Sequence, residues 1–199
     1  MKFLPSCKIR TNLNKDMVIL QRIRSGKEVA FQKLLELYTE AFPPEERRDT
    51  EQLAEWLDTK PAMCFNAVEC DGVLAGLVVY WDFGTFYYLE HLAVFADMRN
   101  KKIGQQILDW IKEHLKGIWV LEVEPADTEM AMRRINYYRR NGFQILDKTY
   151  MQPSYRSGGE AFPLWIMGNE PGQPQPVLDE QIQVIKNRVY YSGWNECCG

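Results

Sequence analysis

The chain has 199 residues, 46% of them hydrophobic and 26% charged, and a net charge of -3 at neutral pH. That length makes one large domain, or one domain with an appendage, able to bury a substantial core. The composition excludes a disordered or fibrous chain, and the charge gives no general pull toward nucleic acid or anionic lipid, so any affinity for phosphate must be local.

The N-terminal MKFLPSCKIR carries only Phe3 and Leu4 ahead of Pro5, too little for a secretory apolar segment, and Cys7 is therefore not read as a lipid anchor. No run approaches membrane-spanning length, and the expected location is cytoplasmic. Residues 17 to 24 read as a first strand ending at Ser25-Gly26. Phe31, Leu34, Leu35, Tyr38 and Phe42 then fall on one helical face, and Pro43-Pro44 stops that helix. The exposed loop FPPEERRD leads to a short helix with Asp49 as N-cap and Leu53, Trp56 and Leu57 on its buried side. MCFNAVEC and VLAGLVVYW flank Asp71-Gly72, a strong two-residue hairpin signal.

From Phe86 to Lys116 the hydrophobic period changes from that of a strand, over residues 86 to 95, to that of a helix carrying Ile103, Ile107, Leu108, Ile111 and Leu115. Between them lie Arg99, Lys101 and Lys102. A cationic loop opening into a helix presents free amides and the positive end of the dipole, which favours an anion such as phosphate; the alternative is a solvated basic turn. The helix ends at Lys116-Gly117, and IWVLEVE (118 to 124) is an apolar strand that implies a parallel crossover. Asp127 or Thr128 caps the next helix, whose stripe is Ala131, Ile135 and Tyr138 and which closes at Asn141-Gly142. FQILDKTY and PLWIMG read as strands separated by QPSYRSGGEAFP. EPGQPQP (170 to 176) is a linker ahead of an amphipathic helix marked by Leu178, Ile182, Ile185 and Val189.

Five cysteines, Cys7, Cys64, Cys70, Cys197 and Cys198, show no C-x-x-C pair, and the histidines are His91 and His114 alone. Neither a zinc site nor a disulfide framework is expected, and no metal.

The order of elements, with HLAVFADMRNKKIGQQIL and INYYRRNGF, resembles the GNAT N-acetyltransferase superfamily. Arg99 and Gly104 match its acyl-CoA motif, and Tyr138 with Gly142-Phe143 matches its second signature; the resemblance spans residues 17 to 168. It implies an α/β (α+β) fold: a mixed, mostly antiparallel sheet of about seven strands, splayed between strands 4 and 5 and flanked by about four helices, plus a C-terminal helix. Residues 1–169 form the acetyltransferase domain and 170–199 a linker and helical extension. Lys102 stands where the family has glycine, so a side chain either crowds the phosphate or offsets this by its charge. Ala131 and Arg134 occupy positions where the family often has Asn and Ala.

The resemblance also implies an acetyl-CoA-dependent N-acetyltransferase acting by direct transfer to an amine in a ternary complex. The amides of Leu92, Ala93 and Val94 would hold the thioester oxygen and pantetheine, and Arg99, Asn100, Lys101, Lys102, Ile103, Gly104 and Gln105 the pyrophosphate. Tyr138 is the family's acid for the CoA thiolate; otherwise it is a core aromatic. For the base, strand alternation places Tyr88, Glu90 and Leu92 on one face and His91 on the other, which favours Glu90 with a pKa raised by its aromatic setting. The competing reading pairs Glu90 with Arg133 or Arg134. Glu122 is the reserve base, His91 is structural, and Tyr137 is less well placed than Tyr138. The acceptor, a small-molecule or peptide amine, would meet Phe42 to Arg48, Tyr87, Tyr88 and Tyr150 to Glu160, with Glu45 and Glu46 suited to a cation. No nucleic-acid or membrane partner is expected. Two other readings stand beside the enzyme: a catalytically weak acyl-CoA-binding or regulatory module, and an interaction protein whose C-terminal helix, followed by Tyr190, Tyr191 and Trp194, docks on a partner or on a second copy as a homodimer.

Overall fold

A computed structural model describes residues 18 to 193; Cys7, Met17, Trp194, Cys197 and Cys198 lie outside the described residues. The elements are β1 (Val18–Arg22), α1 (Val29–Ala41), a 3-10 turn (Pro44–Glu46), α2 (Thr50–Thr59), β2 (Met63–Cys70), β3 (Val73–Asp82), β4 (Phe86–Val94), a second 3-10 turn (Ala96–Met98), α3 (Ile103–His114), β5 (Ile118–Val123), α4 (Glu129–Arg140), β6 (Gln144–Asp147), β7 (Met151–Gln152), β8 (Phe162–Pro163), β9 (Trp165–Gly168) and α5 (Gln175–Ile185). After α5 come a π-helical turn (Lys186–Tyr190) and a last 3-10 turn (Tyr191–Gly193).

Local chemistry accounts for most boundaries. Asp71 and Gly72, at φ 53° and 77°, form the turn between β2 and β3, as the Asp-Gly pair predicts. Thr128 Oγ1 accepts from the Ala131 amide at 3.1 Å and caps α4. Asp49 does occupy the N-cap of α2, but makes no side-chain cap bond; its carboxylate accepts instead from Arg156 at 2.8 Å. In α1 the buried residues are Phe31, Leu34, Leu37 and Tyr38, so Leu37 takes the place expected for Leu35.

The seven-stranded sheet runs β1-β2-β3-β4-β5-β9-β6, with β7 and β8 as a separate ribbon. Every pair in the sheet is antiparallel except β4 with β5. FQILDKTY is therefore a strand only over its first part, and its end feeds the ribbon. One face of the sheet is covered by α1, α2 and α5, through Leu34, Trp56 and Ile182. The other is covered by α3 and α4, through Ile107 and Ile135. The helix behind the 170–176 linker is thus packed into the main core: Leu178, Ile182, Ile185, Val189 and Tyr190 are all buried there. Each such aliphatic side chain contributes roughly 1.5–3 kcal/mol.

Two irregularities in β4 create the site. Pairing with β5 runs from Phe86 with Ile118 to Leu89 with Leu121 and then stops, which is the expected splay. Against β3, Val79 faces His91 while Tyr80 faces Leu89, leaving Glu90 as the extra residue of a β-bulge. The bulge reverses the alternation. Phe86 and Tyr88 belong to the α1/α5 face before it, and Ala93 belongs to that face after it. His91 and Glu90 therefore point to the same side, contrary to the simple alternation read from sequence. Gly76 opposite Val94 permits the close approach of β3, since a Cβ there would lie 2.2 Å from the Ala93 carbonyl oxygen.

Candidate active site

On the α3 face, Val94 and the start of α3 bound a cleft of about 690 Å3. Of the residues expected to bind CoA, Val94, Arg99, Asn100, Lys102, Ile103, Gly104 and Gln105 line it. Leu92 and Ala93 do not, and Ala93 is buried in the opposite core. Lys101 does not line it either; its Nζ contacts Met98 Sδ at 3.3 Å.

Asn100 and Lys102 hold the loop with left-handed backbones, φ 65° and 58°, and Lys102 is the N-cap of α3 without a side-chain cap bond. A positive φ is the conformation glycine adopts freely, which gives the family's glycine at Lys102 a physical reason. Lys102→Gly is expected to raise stability by about 0.5–1 kcal/mol, because relief of left-handed strain exceeds the added freedom of the unfolded chain. Thermal melts check this, and a lower melting temperature would show that the lysine side chain holds the loop. Across the first turn of α3, Gln105 and Asn141 exchange amide bonds of 2.7 and 3.1 Å, tying the start of α3 to the end of α4.

The tyrosines of α4 are arranged differently from the sequence expectation. Tyr137 lines the cleft, and its buried hydroxyl has no hydrogen-bond partner among the described residues. A Cβ on Gly104 would lie 3.4 Å from that hydroxyl, so the glycine leaves the space in front of it open. Tyr138 is half-buried, with its ring 5.8 Å from Phe143 and 5.2 Å from Tyr137. Burial raises its pKa against the nearby charge of Arg134.

A second pocket, of about 340 Å3, opens on the other face between the parted strands. Tyr88, Glu90 and His91 from β4, Glu122 and Val123 from β5 and Glu124 and Pro125 after it line it, with Phe42, Glu45, Glu46, Arg134, Gln152, Tyr155 and Phe162 to Leu164. The acceptor segments read from sequence are therefore brought together in part. Tyr87 is not; it stacks on Trp119, 4.7 Å away.

Glu90 is fully engaged. Arg48 and the Tyr155 hydroxyl, at 3.0 Å, donate to Oε1, and Trp81 Nε1 donates to Oε2 at 2.7 Å. Burial alone would raise its pKa, but the adjoining Arg48 charge reverses that and the net shift is downward. The expected rise is overturned, and the partner is Arg48. Arg133 pairs with Glu129 and Arg134 with Glu124. Arg48 itself is 1% exposed, with its guanidinium 4.4 Å from the Trp56 ring and 4.9 Å from that of Tyr155.

His91 packs against the rings of Tyr38 and Phe42, with Nε2 3.5 Å from the Tyr38 hydroxyl. Burial pushes its pKa down to about 4, so it is neutral near pH 7. Glu122 behaves oppositely to Glu90: burial pushes its carboxyl up to about 7. Tyr190 donates to its Oε2 at 2.7 Å, and its buried Oε1 has no hydrogen-bond partner among the described residues. Sequence reasoning placed Arg48 at the end of an acceptor segment but missed it as the partner of Glu90, and it missed Trp81 and Tyr190 as site residues. Arg48 follows another arginine in a charged loop, and only the two buried tryptophans around it offer a hint.

The acetyltransferase (GNAT) family model matches residues 31–143. A solved structure from Bacteroides thetaiotaomicron, assigned to the GNAT family of acetyltransferases, is 35% identical, with a TM-score of 0.82 over 86% of this chain and 98% of its own. A GNAT family acetyltransferase from Elizabethkingia anophelis with acetyl-CoA bound shares the fold at 17% identity and TM-score 0.51, covering 77% of this chain and 98% of its own. So does a ribosomal-protein-alanine N-acetyltransferase from Brucella melitensis, at 19% identity and TM-score 0.54, covering 75% and 98%. No curated protein matches the sequence. On the family match and the 35% identical structure together, the chain belongs to the GNAT family of acetyltransferases.

Proposed function

We propose that the protein transfers the acetyl group of acetyl-CoA to a primary amine by direct attack, with both substrates bound. The observation that carries this reading is the parting of β4 from β5 after Leu89 and Leu121, with an anion-suited helix start on one face and an acidic, aromatic pocket on the other. The residues present fit a CoA pyrophosphate: the first turn of α3 opens on the cleft behind two left-handed residues, and Arg99 and Lys102 add charge.

Acetyl-CoA supplies an activated acyl carbon. The chain supplies orientation and proton transfer. Strand β4, free of β5 from Glu90 onward, offers backbone amides around Leu92 to Val94 to the thioester oxygen. Glu122 first takes a proton from the bound ammonium, directly or through water, which frees the nitrogen lone pair; as the new C–N bond forms and the C–S bond breaks, the second nitrogen proton leaves to water. Its carboxyl, at about 7, is poised for that step, whereas Glu90 is held ionised and saturated by Arg48, Trp81 and Tyr155. Tyr138, the tyrosine of the family motif, is the candidate to return a proton to the departing sulfur, and Tyr137 beside it is the one whose hydroxyl opens on the cleft. Glu45, Glu46 and Glu124 at the pocket favour an acceptor that arrives as a cation.

A thiol-release assay with acetyl-CoA and a panel of amines tests the proposal, alongside calorimetry with acetyl-CoA alone. Amine-dependent CoA release, strongest for cationic acceptors, is the expected result. Binding without release would make the protein a catalytically weak acyl-CoA-binding module, and no binding at millimolar ligand would remove both readings.

A further inference from the structure

The family match ends at residue 143, yet a residue far beyond it touches the candidate base. The Tyr190 hydroxyl lies 2.7 Å from Glu122 Oε2, 3.0 Å from the Tyr88 hydroxyl and 2.8 Å from Gln152 Nε2. A phenol has one proton to give. Since that proton goes to Glu122, Tyr88 and the Gln152 amide must both donate to Tyr190, which saturates its oxygen and polarises its O–H toward the carboxylate. The residue is placed by the π-helical turn, whose wide winding leaves consecutive Val189 and Tyr190 both buried. The same turn accepts from Arg48 Nη1 at 3.1 Å through the Val189 carbonyl. One turn therefore braces both halves of the acidic pair, Glu122 through a side chain and Glu90 through Arg48.

We propose that Tyr190 is a positioning residue that orients and stabilises the carboxylate of Glu122, so that the C-terminal segment completes the active site. The inference rests on the acetyl-transfer reading through the role given to Glu122. Facing Glu122 are Tyr88 and Glu90 of β4, Tyr150 and Tyr190, with Glu124 and Arg134 along the pocket. Burial, and after it the negative charge of Glu90, work against ionisation, and the Tyr190 hydroxyl bonded to Oε2 works for it. Loss of the Tyr190 hydroxyl should therefore raise the pKa of Glu122.

The test uses the full-length protein carrying Tyr190→Phe, which keeps the ring and removes only the hydroxyl. The Glu122 carboxyl is titrated by NMR with labelled glutamate, its signal assigned by its loss in Glu122→Gln. The midpoint is expected to rise by about one pH unit. With an amine substrate, the acid limb of kcat/KM should rise by the same amount. Gln152→Met should move the midpoint in the same direction by less, and decides the matter if Tyr190→Phe fails to fold. An unmoved midpoint in the folded variants overturns the proposal, and so does a fall in turnover that is uniform at every pH, the mark of a packing role. The carboxyl titration needs no turnover, so absence of amine-dependent CoA release in the unmodified protein would sink the acetyl-transfer reading and leave this result standing on its own.

Discussion

Arg48→Met should cost about 3–5 kcal/mol of stability at neutral pH, because it leaves Glu90 buried without its countercharge. The change in pH dependence is the diagnostic part. In the native protein the folded-state pKa of Glu90 is depressed, so its stabilising contribution is present above the unfolded value and is lost as pH falls through the folded one. In the variant, burial acts unopposed and raises the folded pKa. The stabilising contribution is then present below the unfolded value, about 4.3, and is lost as pH rises through the folded value. Urea unfolding should accordingly show a wide gap between the two proteins near pH 7 and a narrow one near pH 4. A gap constant with pH would mean that Glu90 is not the group left stranded. Arg48→Met combined with Glu90→Gln should recover much of the loss, since a neutral amide is less costly to bury than an unpaired carboxylate.

The second large effect concerns chemistry. Glu122→Gln should lower kcat/KM with a cognate amine by about 10²–10⁴-fold, the usual range for a positioned general base. The unmodified enzyme should gain rate as pH rises through about 7, and the variant should lose that limb. An identical profile in the two proteins would remove Glu122 as base. The sign for stability is opposite. Because the folded pKa of Glu122 is raised, its contribution is present below the unfolded value and lost as pH rises through about 7, so Glu122→Gln should make the protein more stable in mild alkali.

Most of the fold is legible in the sequence because its signals are local. Asp71-Gly72, the Thr128 cap, the stripe of α3 and the family motifs each act over a few residues. The loop ahead of α3 and the helix it opens are legible for the same reason, and what sequence could not supply there was the left-handed backbone at Lys102. The pocket on the other face was harder. Period-two alternation assumes an unbroken strand, and the bulge at Glu90 breaks it, which brings His91 to the same side as Glu90. Glu90 also lies between candidate partners that are close in space but distant in sequence: Arg48 is 42 residues before it and Tyr155 is 65 after it. No local pattern records such pairings. Tyr190 was hidden for a related reason, since a helix behind a Gly- and Pro-rich linker reads as an appendage until its apolar stripe is seen filling the main core.

The Arg48 to Val189 bond spans 141 residues. Closing so long a loop is slow compared with forming the helices and hairpins on either side of it, because its entropy must be overcome before the contact gives any return. On a ribosome the strands β1 to β5 emerge well before the π-helical turn does. The cradle around α3 is therefore ready to form while the two glutamates opposite it still lack their braces, and the chain acquires its pocket only as its final turns dock.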